Sequence, residues 1–202
     1  MAYCFNNPAN YVDFDGKDAI LLLNTNGAGG FGHMGLLIQD KSGTWYHFFW
    51  GSQQGNSSDI STPTVCEVSE LSGNFNLIEL NEILKEKEIY NDPYEKMLYF
   101  SGDYTESLKY VQQYAGKYNL FTNNCMQLSL NALLRSDELN CSEKYIKQIL
   151  RARNSVIPNF SFNILSKADL PNKSFVGDLS KYYYVKKVFT TIKSMTKRRI
   201  II

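Results

Sequence analysis

An α+β fold, with an antiparallel sheet packed against helices, follows from three features of the 202-residue chain. Short apolar or aromatic runs separated by turn residues dominate the region before Phe100. Apolar residues at helical spacing dominate the region after Asp103. Aromatic residues make up 14% of the chain, with 14 Tyr and 12 Phe, which suits a β-rich first half. Strands first and helices later is the α+β order rather than the alternating one.

Asp18 to Asn24 ("DAILLLN") reads as a short apolar strand running into a glycine loop. Met34 to Gln39 and Trp45 to Trp50 read as two more, joined across Lys41-Ser42-Gly43-Thr44 as a β-hairpin. Thr64 to Val68, Phe75 to Leu80 and Met97 to Phe100 are further expected strands. Asp103 and Glu106 have capping-box spacing ahead of Leu108, Val111 and Ala115. Asn123 or Asn124 caps a helix carrying Met126, Leu130, Leu133 and Leu134. Asn140 with Glu143 is expected to open a third, burying Ile146, Ile149 and Leu150 before Ile157-Pro158-Asn159 breaks it. A short helix through Ile164 and Leu165 follows. There is no internal repeat.

The glycine loop poses the first chemical question. Gly27-Ala28-Gly29-Gly30-Phe31-Gly32 satisfies G-x-G-x-x-G, the spacing of a dinucleotide-binding loop. That loop works only when it hands a strand over to a helix whose N-terminal amides hold the pyrophosphate. Here a second apolar strand and a turn follow instead, and no G-K-[ST] is present. The glycines are better read as bringing backbone close to His33 and leaving room beside its ring.

"YNLFTNNCMQLSLNALL" (Tyr118 to Leu134) supplies a partner for that histidine. Cys125 sits in the first turn of an amphipathic helix, where unpaired amides and the positive helix end favour a thiolate. The same amides, around Asn124, form an oxyanion hole for a carbonyl attacked by the sulfur. A thiol nucleophile needs a base, and the chain contains only His33 and His47. A buried structural cysteine and a carbonyl-bonded histidine are the alternative reading of the same residues. With two histidines and no C-x-x-C pair, a zinc site has little to build with. Cys4, Cys66, Cys125 and Cys141 are too scattered for a disulfide framework, so reduced thiols are expected.

"GHMGLLIQDKSGTWYHFFWG" followed by "YNLFTNNCMQL" resembles the circularly permuted branch of the NlpC-type, papain-like cysteine hydrolases, which includes lecithin:retinol acyltransferase-like proteins. The resemblance spans roughly residues 18 to 165, carried by two short motifs. It implies His33 as general base, Cys125 as nucleophile, no cofactor and no metal. It also implies a polar residue on the following strand to hold the imidazole tautomer. His47 is the obvious chemical choice. With Ser42-Gly43 as a two-residue turn, however, His33 lies opposite Ser52. His47 then lies opposite Ile38, on the other face and ~16 Å along the strand. Ser52 and Gln53 are therefore rival candidates, and a longer loop would restore the face more easily than the distance.

"AYCFNNPANYVDFDGK" (Ala2 to Lys17) resembles the end of an Rhs repeat-associated core, with Phe14 where that pattern commonly has proline. Such a core encloses a variable C-terminal toxin used between competing bacteria. The resemblance implies three parts: residues 1–17 from the core, 18–178 the hydrolase domain and 179–202 a basic aromatic extension. It implies an Rhs shell as carrier and a cognate immunity protein as partner. No signal peptide opens the chain, so delivery into a target cell by a secretion system is expected. From Lys181 to Arg199 there are seven basic residues and no acid, beside Val185, Val188, Phe189 and Ile192 at helical spacing. Such a tail could lie on an anionic membrane. Over the whole chain 21 Lys and Arg balance 20 Asp and Glu, which argues against a nucleic-acid partner. The expected activity is hydrolysis of an amide, ester or thioester. A lipid acyl hydrolase or acyltransferase, and an inactive binding module of the same fold, are the alternatives.

Overall fold

A computed structural model describes residues 17–50, 63–71, 75–119 and 121–178. Six strands form one antiparallel sheet: β1 (Ala19–Asn24), β2 (His33–Gln39), β3 (Trp45–Phe49), β4 (Thr64–Val68), β5 (Lys96–Phe100) and β6 (Lys173–Asp178). Their spatial order is β4-β3-β2-β1-β5-β6, so β1 and β2 are central. Six helices complete the described chain: α1 (Leu77–Glu86), α2 (Thr105–Gln112), α3 (Cys125–Leu133), α4 (Asp137–Asn140), α5 (Glu143–Arg153) and α6 (Pro158–Lys167). The architecture is α+β.

Both faces of the sheet are covered, which is why its central strands read as continuous apolar runs rather than alternating ones. Leu21, Leu23, Met34, Leu36, Ile38 and Phe48 face α2, α3, α5 and α6 in the larger core. Ile20, Leu22, Leu37, Trp45 and Phe49 face Leu77, Leu80 and Leu84 of α1 in the smaller one. Every residue of β1 and β2 is buried. At about 25 cal/mol per Å² of apolar surface removed from water, these two strands supply a large share of the driving force for folding.

Several expectations from the sequence are corrected. Phe75 to Leu80 is not a strand. The Asn76 side chain accepts the N–H groups of Ile78 (2.9 Å) and Glu79 (3.1 Å), opening α1 instead. The buried Leu77, Leu80 and Leu84 then follow a helical period. Asp103 is not the N-cap of α2; Tyr104 is, and Glu106 pairs with Lys109 rather than reaching back. Asp103 instead accepts the Thr105 N–H and meets Lys17 at 3.1 Å. Asn140 ends α4, and Ser142 stands at the N-cap of α5. Pro158 opens α6 at a position where its missing N–H costs nothing. The strand β6 was not anticipated.

The hairpin correction matters most for the site. Pairing ends at Gln39 opposite Trp45, so five residues, Asp40 to Thr44, make the connection. The Asp40 carboxylate accepts the N–H groups of Ser42 (2.8 Å) and Thr44 (3.0 Å), and Gly43 takes φ +86°. The extra length shifts the register by one residue, which transfers every β3 side chain to the opposite face.

Replacing Asn76 by Ala removes the cap that decides α1 over a strand. The urea unfolding free energy is expected to fall by about 1 kcal/mol. An unchanged value would contradict the assignment of that cap.

Candidate active site

His33 begins β2 directly after the glycine loop, whose geometry is set by side chains on both sides. Asn24, at the end of β1, accepts the N–H groups of Asn26 and Gly27, each at 3.0 Å. The buried Glu95 carboxylate takes the Thr25 N–H (2.8 Å) and the Asn26 side-chain amide (2.6 Å). Gly27 lies against His33 so closely that a Cβ there would come within 2.6 Å of the histidine Cβ. Gly32, at φ +96°, leaves room for Asn159 of α6. Asn159 donates to the carbonyls of Thr25 (3.1 Å) and Gly30 (3.0 Å). The loop contains only a three-residue 3₁₀ turn, Ala28–Gly30, before β2 begins. It has no α-helix to present amides to a pyrophosphate.

Cys125 is the first residue of α3, and the turn that delivers it is held just as firmly. Asn119 and Asn123 exchange backbone hydrogen bonds across a tight turn. Asn124 is the N-cap, accepting the Gln127 N–H at 3.0 Å, while Gln127 Oε1 accepts the Asn124 N–H at 2.9 Å. This capping box commits the Asn124 amide. The sulfur accepts from the N–H groups of Met34, Met126 and Cys125 itself. Through Met34, the residue after His33, the nucleophile candidate meets the strand that carries the base candidate.

Charge at the site is governed by burial. Cys125 is 5% exposed and His33 is 7% exposed. Desolvation pushes the Cys125 thiol up to about 11, although the three amides pull the other way. The thiolate that a helix start favours is therefore not the resting form. Burial also takes the His33 imidazole down to about 4. His47, fully buried, is taken down to about 3 by desolvation and by the nearby His33. Cys125 thus rests as a neutral thiol and His33 as a neutral imidazole, and His33 Nε2 has no hydrogen-bond partner.

The shifted register changes the reading of His47. It lies opposite Leu37 rather than Ile38, and so on the same face as His33, four strand positions from His33's level. Its Nε2 is 3.0 Å from the Tyr94 hydroxyl rather than bonded to His33. Ser52 and Gln53 lie outside the described residues, as do residues 1–16 and 179–202, which carry the Rhs-like arm and the basic tail.

Tyr90, Tyr94 and Asn24 are site residues that sequence reasoning missed. Tyr90 stacks on the His33 ring at 5.3 Å between centroids. Asn24, paired directly across from His33, donates to the Tyr90 hydroxyl at 3.3 Å. Burial raises both tyrosines far above the usual range, and a thiolate at Cys125 would raise them further. Tyr118, pushed up to about 12 by burial and then by Cys125, packs edge-on against Trp50. In sequence both tyrosines fall in "IYNDPYEK", between α1 and β5, with no motif to mark them.

Among the described residues, no three His, Cys, Asp or Glu side chains gather as a metal-ligand set. Two cavities of about 320 Å³ lie elsewhere, one by Tyr46, Val65 and Tyr114, the other by Thr25, Lys96 and Asn159. Neither is lined by Cys125 or His33. Chemically, the assembly offers a thiol, a neutral base and a set of backbone donors around the sulfur. No family model, curated protein or solved structure matches the chain.

The depressed histidines make stability pH-dependent. Unfolded, each binds a proton near pH 6.5; folded, each resists protonation to about 4 and about 3. Their contribution is full above the unfolded value and is lost as pH falls towards the folded ones. Between about pH 7.5 and 5.5 the unfolding free energy should drop by roughly 1.4 kcal/mol per histidine. Equal urea midpoints at the two pH values would contradict the burial of neutral imidazoles.

Proposed function

We propose that the chain is a cysteine hydrolase of the circularly permuted papain-like type, acting on an amide, ester or thioester carbonyl. One observation carries this reading: Cys125 opens a capped helix with its sulfur at the N–H of Met34, the residue that follows His33 on the central strand. Histidine before cysteine in chain order, an antiparallel sheet and a helix-borne thiol together support the permuted arrangement.

In the proposed reaction, His33 accepts the Cys125 proton as the sulfur bonds to the substrate carbonyl carbon. Negative charge moves to the carbonyl oxygen, towards the backbone donors around the sulfur. The His33 imidazolium then gives its proton to the departing amine, alkoxide or thiolate as that bond breaks, leaving a thioester on Cys125. Water attacks the thioester while His33 takes its proton. Collapse releases the acid, and the proton returns to the sulfur. Because the neutral pair is the resting form, proton transfer accompanies attack rather than preceding it.

The Rhs-like pattern of Ala2 to Lys17 supports a toxin cassette carried by an Rhs shell, delivered into a target cell and neutralised by a cognate immunity protein. Peptidoglycan peptides, proteins and phospholipids all offer such carbonyls. Action on lipid acyl groups is favoured by a specific observation. Phe31, Phe121 and Phe160 are 62%, 69% and 60% exposed, on the His33 loop, the Cys125 turn and the adjoining start of α6. The basic stretch Lys181 to Arg199 would add membrane contact.

Expression of the chain in bacteria, directed separately to cytoplasm and periplasm, tests the proposal. Cys125→Ala and His33→Ala should each lower toxicity at least about a hundredfold while leaving the folded circular-dichroism spectrum intact. Undiminished toxicity in folded Cys125→Ala protein would overturn the catalytic reading and favour a binding module. Periplasmic toxicity alone would point to the cell wall as substrate.

A further inference from the structure

His33, Tyr90 and Tyr94 form a cluster of three rings in mutual contact, with Tyr94 at 6.5 Å and 28° from His33. Tyr90 lies on the His33 ring at 5.3 Å with an interplanar angle of 21°. Tyr94 lies on Tyr90 at 4.7 Å and 17°. The cluster is tied to the sheet where the Tyr94 hydroxyl meets His47 Nε2 at 3.0 Å. Gly35 makes this bond possible. It sits on the same face of β2 between His33 and Leu37, and a Cβ there would collide with the Tyr94 hydroxyl and approach His47 Nε2.

The stack is fixed from two further directions. Asn81 of α1 grips the Tyr94 peptide, accepting its N–H at 2.9 Å and donating to its carbonyl at 2.8 Å. Asn24 donates to the Tyr90 hydroxyl from the strand position opposite His33. Tyr94 and His47 are fully buried, so their mutual hydrogen bond is expensive to break. His33 Nε2, by contrast, is buried without a hydrogen-bond partner. Ring contacts with Tyr90 and Tyr94 are thus principal restraints on an imidazole whose Nε2 has no hydrogen-bond partner.

We propose that His47 and Tyr94 are positioning residues for His33, acting through the ring contacts of Tyr94 and Tyr90 rather than by a bond to the imidazole. This deepens the hydrolase reading and rests on it for its functional meaning. It gives His47 the orienting task that a third active-site residue performs, at a distance no direct hydrogen bond spans. Misplacing a reacting group by about 1 Å costs on the order of a hundredfold in rate, so a partly loosened stack should cost about tenfold.

With only two histidines in the chain, long-range ¹H–¹⁵N spectra resolve each imidazole. In Tyr94→Phe, which keeps the ring and removes the bond, the His33 nitrogen signals should move towards tautomer averaging. Alkylation of Cys125 by chloroacetamide, followed by peptide mass spectrometry, should slow by about tenfold. His47→Leu removes the same bond from the other side, so either folded variant decides the question. His47→Gln, which can still bond Tyr94, should stay within about twofold of the parent rate. Unchanged His33 signals and unchanged alkylation in a folded bond-deficient variant would overturn the proposal. The hydrolase reading fails by a different result, a His33→Ala protein in which Cys125 alkylates at the parent rate. The His33 spectrum in Tyr94→Phe reports on the stack in either case.

Discussion

The complete burial of β2 governs the rest of the molecule. Helices cover both faces of the sheet, and all seven residues of this strand are withdrawn from water. Apolar positions gain from that enclosure, but polar ones must find partners or stay neutral. Gln39 meets the first demand by donating to the Gly43 carbonyl at 2.9 Å. His33 meets the second by remaining an uncharged imidazole. The reactive character of the candidate site thus follows from the packing that holds the sheet together.

The same enclosure settles a contest at Cys125. A helix start and three backbone donors favour the thiolate, whereas removal from water favours the thiol, and burial prevails. A helix terminus offers on the order of 1 kcal/mol, less than the cost of an incompletely solvated buried charge. On the proposed hydrolase reading, reactivity would come from geometry rather than from a preformed ion pair. On that reading, backbone donors already held around the sulfur need no reorganisation when charge develops on a substrate.

Much of this was legible in the sequence, and the exceptions have specific causes. Residues at element starts and long apolar runs announced β1, β2, β3, β4 and β5, and Asn124 announced α3, because their signals are local. Asn76 was missed because Phe75 to Leu80 also satisfies a short strand pattern, and only the cap separates the two. The face of His47 turned on one residue of loop length, set by the Asp40 side chain rather than by hydrophobic pattern. Tyr90 and Tyr94 were illegible because their role arises from stacking across more than fifty positions of chain. Gly35 carries no local signal, because what occupies its missing side chain is the hydroxyl of the distant Tyr94.

The central claim, that burial holds Cys125 as a neutral thiol and His33 as a neutral imidazole, is tested most directly by titrating the thiolate. Its ultraviolet absorbance can be isolated as the difference between the parent protein and Cys125→Ser across the alkaline range. The account places the midpoint near 11, well above that of an unperturbed cysteine. A midpoint below pH 7 would show a preformed thiolate and contradict it.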